Sequence, residues 1–145
     1  MTLSKHLSIF SLFALITVFS VGCNDDDDAT PAADTTAPVI TITSPEDGAI
    51  IDIPGTITVA GTIEEEGELE RIEVNISSAV LPTPFNRTIM KGEDGFPTKS
   101  GNIYSVNITE DIQENTPLPI TFTIDVEAED NAGNIGTERI SVILR

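Results

Sequence analysis

Ile120-Thr121-Phe122-Thr123-Ile124-Asp125-Val126-Glu127-Ala128-Glu129 is the stretch that decides the fold. Ile120, Phe122, Ile124, Val126 and Ala128 are apolar, and every residue between them is polar or acidic. Successive side chains of a strand point to opposite faces, so strict alternation describes a strand with one buried and one wet face. A helix would need an apolar stripe at a period of 3.6, and no segment of the chain sustains one.

The same alternation recurs on the N-terminal side. Val39, Ile40 and Ile42 interleave with Thr41 and Thr43, and Ser44-Pro45-Glu46-Asp47-Gly48 then reads as a turn. Ile57, Val59 and Ile63 alternate with Thr56, Thr58 and Thr62, with Gly61 in the inward register. Ile72, Val74 and Ile76 are set against Arg71, Glu73 and Asn75, and Tyr104, Val106 and Ile108 against Ser105, Asn107 and Thr109. Ile140, Val142 and Leu144 form the last run. Leu81-Pro82-Thr83-Pro84 cannot lie inside a central strand, because each Pro removes a ladder donor. Phe85 to Met90 reads as a short edge strand and Lys91 to Gly101 as a loop. The prediction is an all-β, antiparallel sandwich of about seven strands over residues 37–145.

Composition narrows the chemistry. The chain has 145 residues, enough for one domain, and 24 Asp and Glu against 7 Lys and Arg, a net charge of −17. Such a chain repels nucleic acid and anionic lipid headgroups, so no nucleic-acid partner is expected. His6 is the only His and Cys23 the only Cys. Beyond residue 23 there is no imidazole, thiol or Trp, which excludes Ser-His-Asp and Cys-His nucleophile systems, Cys/His zinc sites and a disulfide framework. Two carboxylates alone could hydrolyse a glycoside, but only in a cleft that separates them and raises one pKa. A sandwich of this size has little room for one, and no enzyme is expected.

Residues 1–22 have the form of a secretory signal. Lys5 and His6 precede an apolar stretch, Leu7 to Val21, that is shorter than the ~20 residues of a spanning helix. Ser20-Val21-Gly22-Cys23 resembles the lipobox of bacterial lipoproteins, with Ser20 where Leu is usual. The resemblance implies cleavage before Cys23, a diacylglycerol thioether on its sulfur, N-acylation with palmitate-type chains, and a membrane partner reached through that lipid. Asp25, Asp26, Asp27 and Asp28 follow; four adjacent carboxylates repel one another and stay solvated. They resemble the acidic export signal of Bacteroidetes-type surface lipoproteins, which implies outer-membrane anchoring with the domain facing the cell exterior. Residues 23–36 are thus expected to be a lipidated acidic tether. Within it Asp34-Thr35-Thr36 resembles the O-glycosylation acceptor of the same bacteria, with Thr35 as the modified residue.

Two motifs sharpen the fold. Asp34-Thr35-Thr36-Ala37-Pro38-Val39-Ile40, followed by Ser44-Pro45 and Gly48, resembles the opening of bacterial Ig-like domains. Asp130-Asn131-Ala132-Gly133-Asn134 resembles their final hairpin loop. The resemblance implies one immunoglobulin-like sandwich of the broad kind that includes fibronectin type III and cadherin-like modules, without the antibody disulfide and Trp.

In such a sandwich the loop after the second strand, the loop before the last strand and the N-terminal entry share one pole. Asp34, Glu64, Glu65, Glu66, Glu68, Asp130, Asn131 and Asn134 are then gathered there. Calcium takes six to eight oxygens in irregular loops, so Glu64, Glu65, Glu66 and Asp130 are the candidate ligands; the alternative is a set of solvated loops with no cofactor. Sugar rings stack on aromatic faces, and Phe85 and Phe96, in the irregular region, are the candidate platforms, against a role in covering the sandwich edge. The function expected is a lipid-anchored, non-catalytic Ig-like module for binding or adhesion to a protein or glycan. The alternatives are an accessory lipoprotein of an outer-membrane complex and a calcium-dependent adhesin.

Overall fold

The computed structural model describes residues 32–52, 55–80, 85–112 and 118–145. The expected signal sequence, Cys23, Asp25 to Asp28 and the Leu81 to Pro84 segment lie outside the described residues. Ala33–Arg145 forms one compact unit.

Nine strands are described: β1 (Val39–Ser44), β2 (Ala49–Ile51), β3 (Gly55–Glu64), β4 (Leu69–Ser77), β5 (Phe85–Met90), β6 (Lys99–Ser100), β7 (Ile103–Ile112), β8 (Ile120–Asp130) and β9 (Ile135–Leu144). They form two sheets, ordered β1-β3-β7-β6 and β2-β9-β8-β4-β5. This is the two-layer sandwich that alternation predicts, with two differences. The expected seven strands are joined by β2 and β6, and β2 pairs with β9 in parallel, whereas every other described pair is antiparallel. Three residues of β2 and two of β6 are too short to print a period on the sequence.

The deciding run is an inner strand, with β9 on one side and β4 on the other. Ile124 faces Ile76 across one ladder and Ile140 across the other, and all three are buried. Ile120, Phe122, Val126 and Ala128 point the same way, against Ile57, Val59, Ile63, Tyr104, Val106 and Ile108 among others in a single core. Each aliphatic or aromatic side chain so buried contributes about 1.5–3 kcal/mol relative to its exposed state. Val39 is 60% exposed. It lies at the start of an edge strand, and the inward face of β1 begins with the half-buried Ile40 and Ile42.

Gly61 lies on the inward register of β3, where β1 passes closely. A Cβ there would overlap the carbonyl oxygen of Thr41, so the missing side chain sets the separation of the two strands.

Candidate functional site

The pole at the ends of β3 and β8 is built from three chain segments. β3 runs into the loop before Leu69, β8 runs into the hairpin before Ile135, and residues 33–38 enter β1 beside them. Carboxylate oxygens of Asp34, Glu65 and Asp130 lie within 4.8 Å of one another. Glu65 and Asp130 are buried, 4% and 1% exposed, while Asp34 is exposed.

Period two explains why Glu65 turns inward. It extends the series Ile57, Val59, Gly61, Ile63 by one more alternate position, just past the end of β3. That continuation was the sequence signal that separates Glu65 from its neighbours. Glu64 and Glu66 occupy the intervening positions and are exposed. They line an adjoining groove of about 370 Å³ together with Asp34, Thr36 and Val39, and they contribute no oxygen to the three-carboxylate cluster.

Asp130 is held by the hairpin it begins. Its Oδ1 accepts the backbone N–H of Ala132 at 2.8 Å and of Asn134 at 2.9 Å, and its Oδ2 accepts the Asn134 side-chain amide at 2.8 Å. Burial pushes this carboxyl up, but the hydrogen bonds from Asn134, Ala132 and Gly133 outweigh burial and hold it below the ordinary Asp value. Gly133 supplies the left-handed turn, at φ +87°, that lets the loop wrap the carboxylate. The Asn134 amide also donates to the Asp34 carbonyl at 3.2 Å, fastening the incoming chain to the hairpin.

Glu65 is held in the same manner, its Oε1 accepting the Gly67 N–H at 2.6 Å. Gly67 sits against the cluster: a Cβ there would lie 3.0 Å from Glu65 Oε1, 3.5 Å from Asp34 Oδ2 and 3.6 Å from Asn131 Oδ1. Three oxygen-bearing side chains therefore converge on one glycine, beside Asp130. Hard cations take carboxylate and amide oxygens of this kind, so Asp34, Glu65, Asp130 and Asn131 are the side chains able to ligate one.

Glu68 lies to the side. Its Oε2 accepts the Tyr104 hydroxyl at 3.1 Å; that bond, assisted by Lys99 and Lys91, lowers its carboxyl, with burial opposing. The Tyr104 phenol is raised chiefly by burial, and its oxygen accepts the Leu69 N–H at 3.2 Å. Lys99 lies 5.5 Å from the centre of the Tyr104 ring and donates to the carbonyls of Glu66 (3.0 Å) and Gly67.

The two candidate platforms are half-buried. Phe85 and Phe96 both pack on the core, and Phe96 meets Tyr104 edge to face at 6.3 Å. The rings pack against the side of the sandwich and remain partly exposed. Thr35 is exposed, just before the buried Pro38.

With two facing sheets and the pole established, the chain matches the family model described as a bacterial Ig domain over residues 38–142, and it belongs to that family. Its domain is an all-β immunoglobulin-like sandwich, and domains of this family are typically non-catalytic. No curated protein matches the chain. Among the solved structures that match is a Niemann-Pick type C2 protein from Japanese carpenter ant, at 13% identity and a TM-score of 0.47, over 76% of this chain and 90% of that one. Another is murine CRIg, at 10% identity and a TM-score of 0.40, over 76% of this chain and 98% of that one. The family supports a non-enzymatic module of the binding or adhesion type.

Proposed function

We propose that the protein is a lipoprotein anchored in the outer membrane through Cys23, with its Ig-like domain facing the cell exterior and binding a protein or glycan there. The observation that carries this reading is one sequence holding both a bacterial Ig domain over residues 38–142 and a lone Cys behind a short apolar run and ahead of four Asp. Acyl chains supply the attachment, at about 0.8 kcal/mol per buried CH₂. The acidic tether holds the domain off the membrane by charge, and the sandwich offers its loops and outer faces as binding surface. Cys23→Ala should remove the acyl mass and move the protein out of the detergent phase. Replacing Asp25 to Asp28 with Ala should leave the acyl mass in place but protect the protein from protease added to intact cells. Acyl chains on the Cys23→Ala form, or equal proteolysis of parent and Ala-tether forms, would overturn the corresponding half of the reading.

The convergence of Asp34, Glu65 and Asp130 within 4.8 Å favours a second reading, adhesion that depends on calcium bound at that pole. Folding brings these carboxylates together against their mutual repulsion, and a divalent cation would relieve it.

A further inference from the structure

The outward face of the five-stranded sheet has a charge pattern that the anchor and the acidic pole do not explain. Outward positions on inner strands usually carry β-branched or aromatic side chains, and carboxylates are depleted there. Here Glu73 on β4 stands directly opposite Glu127 on β8, and Asn75 directly opposite Asp125. Like charges directly opposite one another destabilise a sheet. Arg71 is shared among three of the carboxylates, at 2.9 Å from Glu73, 2.6 Å from Glu127 and 2.9 Å from Glu129. Arg139 pairs with Asp125. Glu138 stands opposite the buried Val126 and so belongs to the other face of the sheet. Four carboxylates, Glu73, Asp125, Glu127 and Glu129, thus face two guanidiniums, a deficit of two positive charges.

The same face is grooved. Glu73, Asn75, Asp125, Glu127, Thr137 and Arg139 line an open depression of about 540 Å³, a volume in the range of ligand sites. Asn75 Oδ1 in its lining is shielded from solvent and has no hydrogen-bond donor among the described residues. An acceptor left in that state costs about 1–3 kcal/mol. The face is therefore short of positive charge and leaves one acceptor without a donor, and a guanidinium or ammonium supplies both.

We propose that this groove is a docking surface for an extended polypeptide segment with Arg or Lys at alternate positions. The spacing favours that form over a compact cation. Asp125, Glu127 and Glu129 recur every second residue along β8, about 6.6–6.8 Å apart. An extended segment presents alternate side chains to one side at the same interval. The inference rests on the reading of the domain as a binding module, but the two fail separately: loss of peptide binding leaves acylation and surface proteolysis as they are.

The test is titration calorimetry of the full chain with two synthetic peptides of one composition, Arg-Thr-Arg-Thr-Arg-Thr and Arg-Arg-Arg-Thr-Thr-Thr. The alternating peptide should bind more tightly, and Asp125→Asn with Glu127→Gln should weaken it roughly tenfold. Asp125→Asn alone, outside the Arg71 cluster, should weaken it measurably while changing the melting temperature little, since an ion pair with the exposed Arg139 adds little stability. Glu64→Gln with Glu66→Gln at the distant pole should leave binding unchanged. Equal affinity for the two peptides, equal loss from the pole and groove variants, or no binding at low salt would each overturn the proposal, the first two by reducing it to diffuse attraction toward a chain of charge −17.

Discussion

Gly136 and Pro38 are in such close contact that a Cβ on Gly136 would overlap the carbonyl oxygen of Pro38. Both residues are buried, so neither backbone can yield toward solvent. Gly136→Ala must push the entry to β1 away from β9, and a cost of about 1–3 kcal/mol is expected, as for other overpacked sites. Gly133→Ala, three residues away, meets no atom within 4 Å and strains only its φ of +87°. It should cost about 1 kcal/mol. Chemical denaturation of the two variants measures the difference, and Gly136→Ala should be the less stable.

Register gives a second contrast. Ile124 is fully buried between Ile76 and Ile140, whereas Thr123 faces outward between Ser77 and Ser141. Ile124→Asp places an unpaired carboxylate in the core and should cost several kcal/mol, a large share of the ~5–15 kcal/mol that holds a domain together. Thr123→Asp should cost far less. Equal losses in denaturation would contradict the observed register.

These contrasts also mark what was legible in the sequence. Long strands with one wet face carry their register in their alternation, as Ile120 to Ala128 does, because each inward position is selected for burial. The three residues of β2 exist through a parallel pairing with β9, and nothing local in Ala49-Ile50-Ile51 records a partner more than 90 residues away. Lys99-Ser100 pairs only with Ile103-Tyr104 around Gly101, so a two-residue strand is hidden in a Gly-rich loop. At the pole, sequence spacing brings Asp130 and the Glu64 to Glu66 run to mind together, but only the inward register distinguishes Glu65. The convergence of Asn131 on Gly67 is set by how three loops fold over one another, and has no signature of its own.

Acid should weaken the hairpin through Asp130. Its carboxyl is held below the ordinary value of 3.8, so it contributes stability that is fully present above that value. The contribution is lost as pH falls through the lower value of the folded state. Asp130→Asn removes it at every pH. The stability gap between parent and Asp130→Asn should therefore be widest near neutrality, about 1.5–3 kcal/mol for hydrogen bonds to a charged group, and should close as pH drops below 3.8. Denaturation at a series of pH values reads the gap directly; a gap that widens on acidification would reverse the sign of the argument.

Calcium should act through Asp34 and Glu65. A cation that binds only the folded chain stabilises it by RT ln(1 + [L]/Kd), about 2.7 kcal/mol at a hundredfold excess over Kd. Millimolar calcium should raise the melting temperature by several degrees, and magnesium should do less, since it demands octahedral geometry and keeps its waters. Asp34→Asn with Glu65→Gln should abolish the calcium response and raise the calcium-free melting temperature, because the repulsion disappears with the charges. A response shared equally by magnesium and sodium would mean screening alone.

The parallel seam between β2 and β9 has a mechanical consequence. Ala49–Ile51 pairs with Val142–Leu144, and the seam continues through Gly48 N–H to Ser141 O at 2.7 Å and Arg145 N–H to Ile51 O at 3.1 Å. The Asp47 carboxylate accepts Ser141 N–H at 2.8 Å at one end, and Asp52 pairs with Arg145 at 2.9 Å at the other. Because the strands are parallel, tension between the chain's two ends pulls β2 backward and β9 forward along their common direction. The load then falls on all these bonds in shear at once, whereas a hairpin pulled from its open end parts one bond at a time. A domain tethered at one end and gripped near the other would resist extension through this short seam.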